Sequence, residues 1–363
     1  MNFSKAEIEV LALCALCKDL PVNGCRNIPR EILSVLKFLG LIRPSRSRKG
    51  YRITPQGAEI LTLAEMDYIQ DKSYVSDTDK IARRMQTAEI TSFFWKYGAD
   101  VFSEVQPTEK SRKVFLPSFT LRRQPVANIL GGSRLTGFYY TPETVFIPYF
   151  ITKENKGFYP NVEQRTFYAE TLSLKRKPHV IYTGEGNLED IIVAIKTHNP
   201  KPKKNTSVYF DDGIENIVCP VSILPLDENG MRQLRIMEVP NYKQRIVKTI
   251  LEKHYLPPQM IEYDGRDKAE HYAIGIDCNI KRFEGLIRNK IPTRLFVLPF
   301  QAETVQKIVE GSKISCYVLD TADTEKALGI SEQLPTVDNT PYKTEKGKYL
   351  NVPLIGKIKS SGG

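Results

Sequence analysis

The stretch Leu36-Lys37-Phe38-Leu39-Gly40-Leu41-Ile42, followed after a basic turn by Gly50-Tyr51-Arg52-Ile53-Thr54-Pro55-Gln56-Gly57, carries the densest local information in the chain. Ile32, Val35, Leu36 and Leu39 recur at helical spacing over residues 31–39,. Gly40 stands where a left-handed glycine ends a helix. Leu41-Ile42 and Tyr51-Arg52-Ile53 read as two short strands on either side of the turn at residues 43–50. Thr54 and Pro55 open another helix, threonine as N-cap and proline at the first helical position.

Upstream, Ser4 and Glu7 have the S-x-x-E spacing of a capping box, so a helix is expected from there,. Ile8, Leu11, Ala12 and Ala15 continue it at helical spacing. Pro21, Asn23 and Gly24 break the pattern. The order is therefore helix, helix, glycine stop, strand, basic turn, strand, helix.

With these residues in view, the segment resembles a winged helix-turn-helix domain, through the pattern L-x-x-L-G-L-I followed by G-Y-x-I-T-x-x-G. The charge distribution agrees. Residues 1–60 hold ten Lys and Arg against five Asp and Glu. Four of the bases, Arg43, Arg46, Arg48 and Lys49, fall in the eight-residue turn. A basic turn between two strands lies against phosphates at little steric cost, and phosphate contacts supply affinity and register. The expected phosphate contacts are Arg43, Arg46, Arg48, Lys49 and Arg52. The expected base-facing positions are Arg30, Ser34 and Lys37, on the polar side of the second helix beside Glu31. The competing reading is a solvated basic loop on a winged helix that docks protein.

The whole chain has 363 residues, 52 Lys and Arg against 42 Asp and Glu, and a net charge of +10. Its hydrophobic fraction of 41% and charged fraction of 26% exclude wholesale disorder and collagen-like or coiled-coil structure,. It has no run of about 18 apolar residues, so no membrane span is expected. The early acids argue against a signal peptide, and the expected compartment is the cytoplasm. Six cysteines are spread thinly. Cys14 and Cys17 form a C-x-x-C with Cys25 following, but the first histidine is His179. A zinc site lacks its fourth ligand there, and buried thiols are expected.

Residues 61–79 read as a helix end and linker, and residues 79–97 as a long helix stopped by Gly98. Ile81, Met85, Ala88 and Phe93 line one side of it, Arg83-Arg84 form a solvated face, with a phosphate clamp as the alternative, and Trp95 packs. A sheet region begins near residue 114. Residues 135–140 and 144–151 form a hairpin, and residues 161–174 a helix with Val162, Phe167 and Leu172 inward. Residues 179–183 read as a strand, and Asn187 opens a helix to Lys196. A basic loop follows over residues 196–204. Residues 207–210 and 217–224 read as strands and 244–254 as a helix. Residues 295–300, 303–310 and 314–319 form a β-α-β unit with a parallel pair. The domain reading is 1–66 winged helix-turn-helix, 67–110 linker and long helix, 111–334 mixed α/β domain, and 335–363 a lysine-rich C-terminal arm.

Few catalytic patterns survive inspection. The four histidines, His179, His198, His254 and His271, form no paired metal motif. Gly131-Gly132-Ser133-Arg134 lacks the spacing and lysine of a P-loop, and no nucleophile elbow or zinc helix is present. A magnesium-dependent nuclease of the restriction-endonuclease type needs an acid on a hairpin strand and a nearby acid-x-lysine. The strand at 144–151 has no acid, Glu143 sits at the turn, and Glu163-x-Arg165 carries arginine in place of lysine. Asp211-Asp212 is a distant second choice. The expectation for Glu163 and Arg165 is a pair on a helix surface.

The chain further resembles the replication-relaxation type of mobile-element protein, and within it proteins of conjugative elements in Clostridia-like bacteria. The stretches that carry this are the motif above, Ser133-Arg134-Leu135-Thr136-Gly137-Phe138-Tyr139-Tyr140 with Val145-Phe146-Ile147-Pro148-Tyr149, and Leu295-Phe296-Val297-Leu298-Pro299-Phe300. Glu163 falls where that family places a glutamate. The resemblance implies a fold of class α/β (α+β), a winged helix before a degenerate restriction-endonuclease-like core. It also implies a role in plasmid or element replication, relaxation or transfer. The expected function is sequence-specific binding of double-stranded DNA as an accessory protein, without catalysis, cofactor or metal. Its expected partners are DNA, a replication or transfer enzyme, and a second copy in a homodimer. The alternatives are a transcriptional regulator with a ligand-sensing or dimerising α/β domain, and a magnesium-dependent nuclease.

Overall fold

A computed structural model of the protein describes residues 2–18, 20–21, 26–45, 50–66, 78–107, 112–122, 130, 133–154, 159–172, 175–197, 209–210, 219–330 and 333–350. The fold is mixed α/β, and the described residues form three sheets and twelve helices. The chain divides into two compact units, Met1–Ser92 with Pro335–Gly363, and Phe93–Leu334. No helix among the described residues is long and apolar enough to cross a membrane.

The first unit begins with α1 (Lys5–Cys17), whose N-terminus has the expected capping box. Ser4 Oγ accepts from Glu7 N–H at 3.2 Å, and Glu7 Oε2 accepts from Ser4 N–H at 2.7 Å. Lys5 and Ala6 N–H groups, which a helix start leaves unsatisfied, donate to Thr340 O (2.8 Å) and Asp338 O (2.9 Å). Residues 338–350 of the C-terminal arm are thus tied to the start of α1, and Tyr342 OH also donates to Ala64 O at 2.9 Å. Residues 351–363 lie outside the described residues. Cys14 and Cys17 are buried in α1. Burial above all, then Cys14, pushes the Cys17 thiol far above its ordinary range, which keeps it protonated and inert.

The rest of this unit is β1 (Leu20–Pro21), α2 (Arg30–Phe38), β2 (Ile42–Pro44), β3 (Gly50–Ile53) and α3 (Pro55–Leu63), with sheet order β1-β3-β2, all antiparallel. The junction from α2 to α3 explains the sequence pattern residue by residue. Gly40 takes φ +70°. Gly40 N–H donates to Lys37 O at 3.0 Å and Leu41 N–H to Leu36 O at 2.9 Å, the two bonds of a Schellman cap,. Thr54 Oγ1 donates to Gly40 O (2.8 Å) and also lies 3.1 Å from Leu41 O, while Thr54 N–H donates to Leu41 O at 2.9 Å. The same hydroxyl accepts from Gly57 N–H at 3.1 Å as the N-cap of α3. Gly57 has no alternative here, because a Cβ would lie 2.3 Å from Leu41 O.

Helix α4 (Thr78–Lys96) carries the division between the units. Ala88 and Phe93 are buried as expected, and so is Trp95, whereas Ile81 and Met85 are half-buried. Arg83 and Arg84 are half-buried too.

The second unit has a five-stranded sheet in the order β4 (Val114–Pro117), β5 (Gly137–Tyr140), β6 (Thr144–Ile151), β7 (Lys177–Gly184), β8 (Val221–Ile223). β5 runs antiparallel to both neighbours, and β6, β7 and β8 are parallel. The short α5 (Ser118–Leu121) follows β4, α6 (Pro160–Leu172) joins β6 to β7, and α7 (Leu188–Lys196) follows β7 under an Asn187–Asp190 capping box. β6 is buried along nearly its whole length, as a continuous apolar run in a central strand should be,. Pro148 is accommodated there because the β5–β6 pairing ends at Tyr139 and Phe146. Its carbonyl instead accepts from Thr136 N–H (2.9 Å) and Oγ1 (2.7 Å),.

A second sheet has the order β12-β11-β10-β9, with β9 (Gly265–Arg266) antiparallel to β10 (His271–Ile274). β10, β11 (Thr293–Val297) and β12 (Ile314–Val318) are parallel. Its helices are α8 (Glu228–Met237), α9 (Tyr242–Leu251), α10 (Ile280–Asn289), α11 (Ala302–Val309) and α12 (Thr321–Ala327). The late β-α-β unit is therefore present with its parallel pair, as part of a longer β-α-β-α-β run. One apolar core runs through both sheets, from Leu116 and Tyr149 to Phe283 and Val297. The strand expected at 207–210 falls mostly outside the described residues.

Replacing Gly57 with alanine should lower the stability of the first unit by about 3 kcal/mol, because the new methyl meets a backbone oxygen that cannot swing away. Thermal unfolding followed by circular dichroism, with limited proteolysis of residues 1–66, measures it.

Candidate functional site

The structure presents two groups of charged side chains, a basic face on the first unit and a set of carboxylates hydrogen-bonded within the second. On α2, Ile32, Leu33 and Leu36 point inward and are buried, while Arg30, Glu31, Ser34 and Lys37 are exposed. Arg30, Ser34 and Lys37 follow one another at four- and three-residue spacing, which stacks them on one helix face. Phe38, next to Lys37, is 90% exposed, an aromatic side chain that composition did not single out.

On the hairpin, Arg43 of β2 stands directly opposite Arg52 of β3. Opposed residues of an antiparallel pair project to the same face. Arg43 is exposed and Arg52 half-buried. Ser45 N–H donates to Gly50 O at 2.7 Å, which closes the base of the turn. Arg46, Arg48 and Lys49 lie outside the described residues. The hairpin thus brings together Arg43 and Arg52, and α2 brings together Arg30, Ser34 and Lys37.

The second unit corrects one sequence expectation. Glu163 is not on a helix surface with Arg165; it is completely buried, while Arg165 is exposed. Glu163 Oε2 accepts from Ser133 Oγ (2.6 Å) and Tyr149 OH (2.7 Å), and Oε1 from Arg134 N–H (2.8 Å). The partners come from the loop before β5 and from β6. The spacing within α6 could not reveal them, because they lie 14 to 30 residues away in sequence. Burial above all, and then the Glu163 carboxylate, holds the Tyr149 phenol well above its ordinary range. Tyr149 therefore stays a hydrogen-bond donor.

Glu238, just after α8, is a second hub. Its Oε1 accepts from Tyr97 OH (2.9 Å) and Tyr139 OH (2.7 Å), and its Oε2 from Lys113 Nζ (2.6 Å). A third group surrounds the loop after β10. Asp277 forms an ion pair with Lys243 of α9, and its main-chain oxygen accepts from Ile223 N–H of β8 at 2.9 Å. Gln233 Nε2 donates to Ile223 O (2.8 Å) and Ile276 O (2.7 Å), and Gln301 Nε2 also donates to Ile276 O (2.8 Å). Side-chain amides thus meet main-chain carbonyls at the carboxyl end of β8 and just after β10. Beside them His179 Nε2 and Ser222 Oγ share a hydrogen bond of 2.7 Å.

Among the described residues, no three or more His, Cys, Asp or Glu side chains stand where they could hold one metal ion. Glu143 is exposed at its turn, and Asp211-Asp212 lie outside the described residues. Comparison of the chain with protein-family models, with curated proteins and with solved structures finds no match.

Two measurements test the buried groups, both by urea unfolding followed through Trp95, the single tryptophan, which sits in the second unit. Glu163→Ala removes the acceptor of three donors and should cost about 3 kcal/mol or more; a loss below about 1 kcal/mol contradicts the cradle. Burial, with Lys243 adding to it and Asp277 opposing, lowers the His179 imidazole from 6.5 to about 4. Between those pH values the unfolded chain takes up a proton that the folded chain refuses. Stability should therefore be complete above pH 6.5 and fall by about 3 kcal/mol on approaching pH 4. In His179→Gln the slope over that range should be shallower by about one proton.

Proposed function

We propose that the protein is an accessory protein that binds double-stranded DNA sequence-specifically, in the replication or transfer of a plasmid or mobile element. In this reading the first unit is a winged helix. Helix α2 enters the major groove with Arg30, Ser34 and Lys37 toward the bases. The hairpin lies along the backbone, with Arg43, Arg46, Arg48, Lys49 and Arg52 at phosphates. The observation that carries it is the pairing of Arg43 with Arg52 beside a helix whose polar side chains share one exposed face. Cross-strand neighbours project to the same face of a hairpin, so both side chains can reach one stretch of DNA backbone,.

The second unit, in this reading, has a nuclease-like core that has lost its chemistry and serves to recruit or position an enzyme. Support comes from its order of three antiparallel strands running into parallel crossovers. It comes also from the absence of any acid in the sequences of β5 (GFYY) and β6 (TVFIPYFI). Glu163, the candidate acid of α6, already accepts hydrogen bonds from Ser133, Arg134 and Tyr149.

A salt titration of the purified protein on random duplex DNA and on duplex from its own gene neighbourhood tests the reading. Tight binding that falls steeply with salt and prefers its own neighbourhood is expected. The double variant Arg43→Ala/Arg52→Ala should bind all sequences more weakly, with a salt slope reduced by about two units. Failure to bind either duplex overturns the proposal.

A further inference from the structure

Among the described residues, the outer strand of the second sheet has an open side: β12 pairs with β11 and with no other strand. Thr293 N–H donates to Lys313 O and Leu319 N–H donates to Val297 O. Main-chain groups alternate along a strand, so residues 313, 315, 317 and 319 address β11, and those of Ile314, Cys316 and Val318 face outward. Natural edge strands are ordinarily protected by charge, proline or a bulge. The sequence ISCYV of β12 has no charge and no proline, and all five residues are in regular parallel register with β11. Tyr317 is 40% and Val318 56% exposed. Tyr317 also ends a row of stacked rings that crosses the sheet, Tyr272 to Phe296 at 5.9 Å and Phe296 to Tyr317 at 5.3 Å.

We propose that β12 is the docking site for a second copy of this chain, which pairs its own β12 antiparallel about a two-fold axis through Cys316. Charge selects this occupant and this direction. Lys313 precedes the strand and Asp320 follows it. Antiparallel pairing sets each Lys313 end beside the other copy's Asp320 end, whereas parallel pairing sets like beside like. Main-chain geometry selects the register. A two-fold antiparallel pair must form its hydrogen bonds between outward-facing residues. An axis at Cys316 joins Cys316 to its counterpart and Ile314 to Val318 in both directions, which makes about six main-chain hydrogen bonds. On one face the small Ser315 then lies opposite the large Tyr317. On the other, Ile314 lies opposite Val318, an apolar pair. The result is an isologous interface that joins two four-stranded sheets into one. It is independent of whether the first unit binds DNA.

Sedimentation velocity of the full chain over roughly 1–200 μM reads the prediction directly. The wild type should pass from monomer to dimer with rising concentration. Val318→Lys places a charge opposite Ile314 of the other copy and should raise the dissociation constant at least about tenfold. Because Val318 is an exposed position, circular dichroism and Trp95 fluorescence should be unchanged. A short bismaleimide should join two wild-type copies and should fail to join two copies of Cys316→Ser. A wild type that stays monomeric throughout overturns the proposal. So does a dimer that tolerates Val318→Lys, or whose cross-link survives Cys316→Ser.

Discussion

A single hydroxyl holds the first unit in its shape. Thr54 Oγ1 donates to Gly40 O and accepts from Gly57 N–H, so one side chain closes the end of α2 and the start of α3 together. Its geometry requires glycine twice. Gly40 must adopt a positive φ, and Gly57 must admit Leu41 O where a Cβ would sit. With that junction set, β2 and β3 leave α2 side by side, and the register that brings Arg43 opposite Arg52 follows. The proposed DNA-facing side chains are thus positioned by groups that would touch no DNA themselves.

The second unit is organised by buried polar hubs instead. Glu163 ties the loop before β5 to β6, Glu238 ties α4 and β5 to the end of α8, and Asp277 ties β8 to the loop after β10. Glu163 and Asp277 are tolerated in the interior because a donor or a cation meets each, and isolated burial would be far too costly,; Glu238 is half-buried. Arg282 does the converse. Its guanidinium donates to Glu262 O, Ile274 O and Asp264, so a buried cation is met on every side. Glu163 and Glu238 each accept three hydrogen bonds from within the protein.

Local chemistry accounts for what was legible in the chain. The capping box at Ser4, the glycine stop at Gly40, the Thr54-Pro55 start and the Asn187 cap all act within four residues, so their spacing alone reveals them. The strand-helix-strand run from residue 293 to 318 was legible for the same reason, because each element is a short apolar block between clear breaks. Helices α8 and α10 and the strand β10 were not read. Their apolar residues are interleaved with Arg282, Arg232, Gln233 and other polar groups whose partners lie in distant elements. The C-terminal arm was illegible in the same way. Its lysines suggest a solvated tail, whereas Asp338 O and Thr340 O meet donors at the opposite end of the chain.

Sequence by itself determined the mixed α/β class, the capped helix ends at Ser4, Gly40, Thr54 and Asn187, and the exposed face of α2, since these depend on periodicity and on caps between near neighbours. Only the tertiary structure decided that Glu163 is an interior acceptor, that Arg43 and Arg52 stand opposite one another, and that residues 338–350 complete α1. Each of these depends on which distant groups the packed backbone brings within hydrogen-bonding or van der Waals reach, and side-chain spacing along the chain carries no record of that.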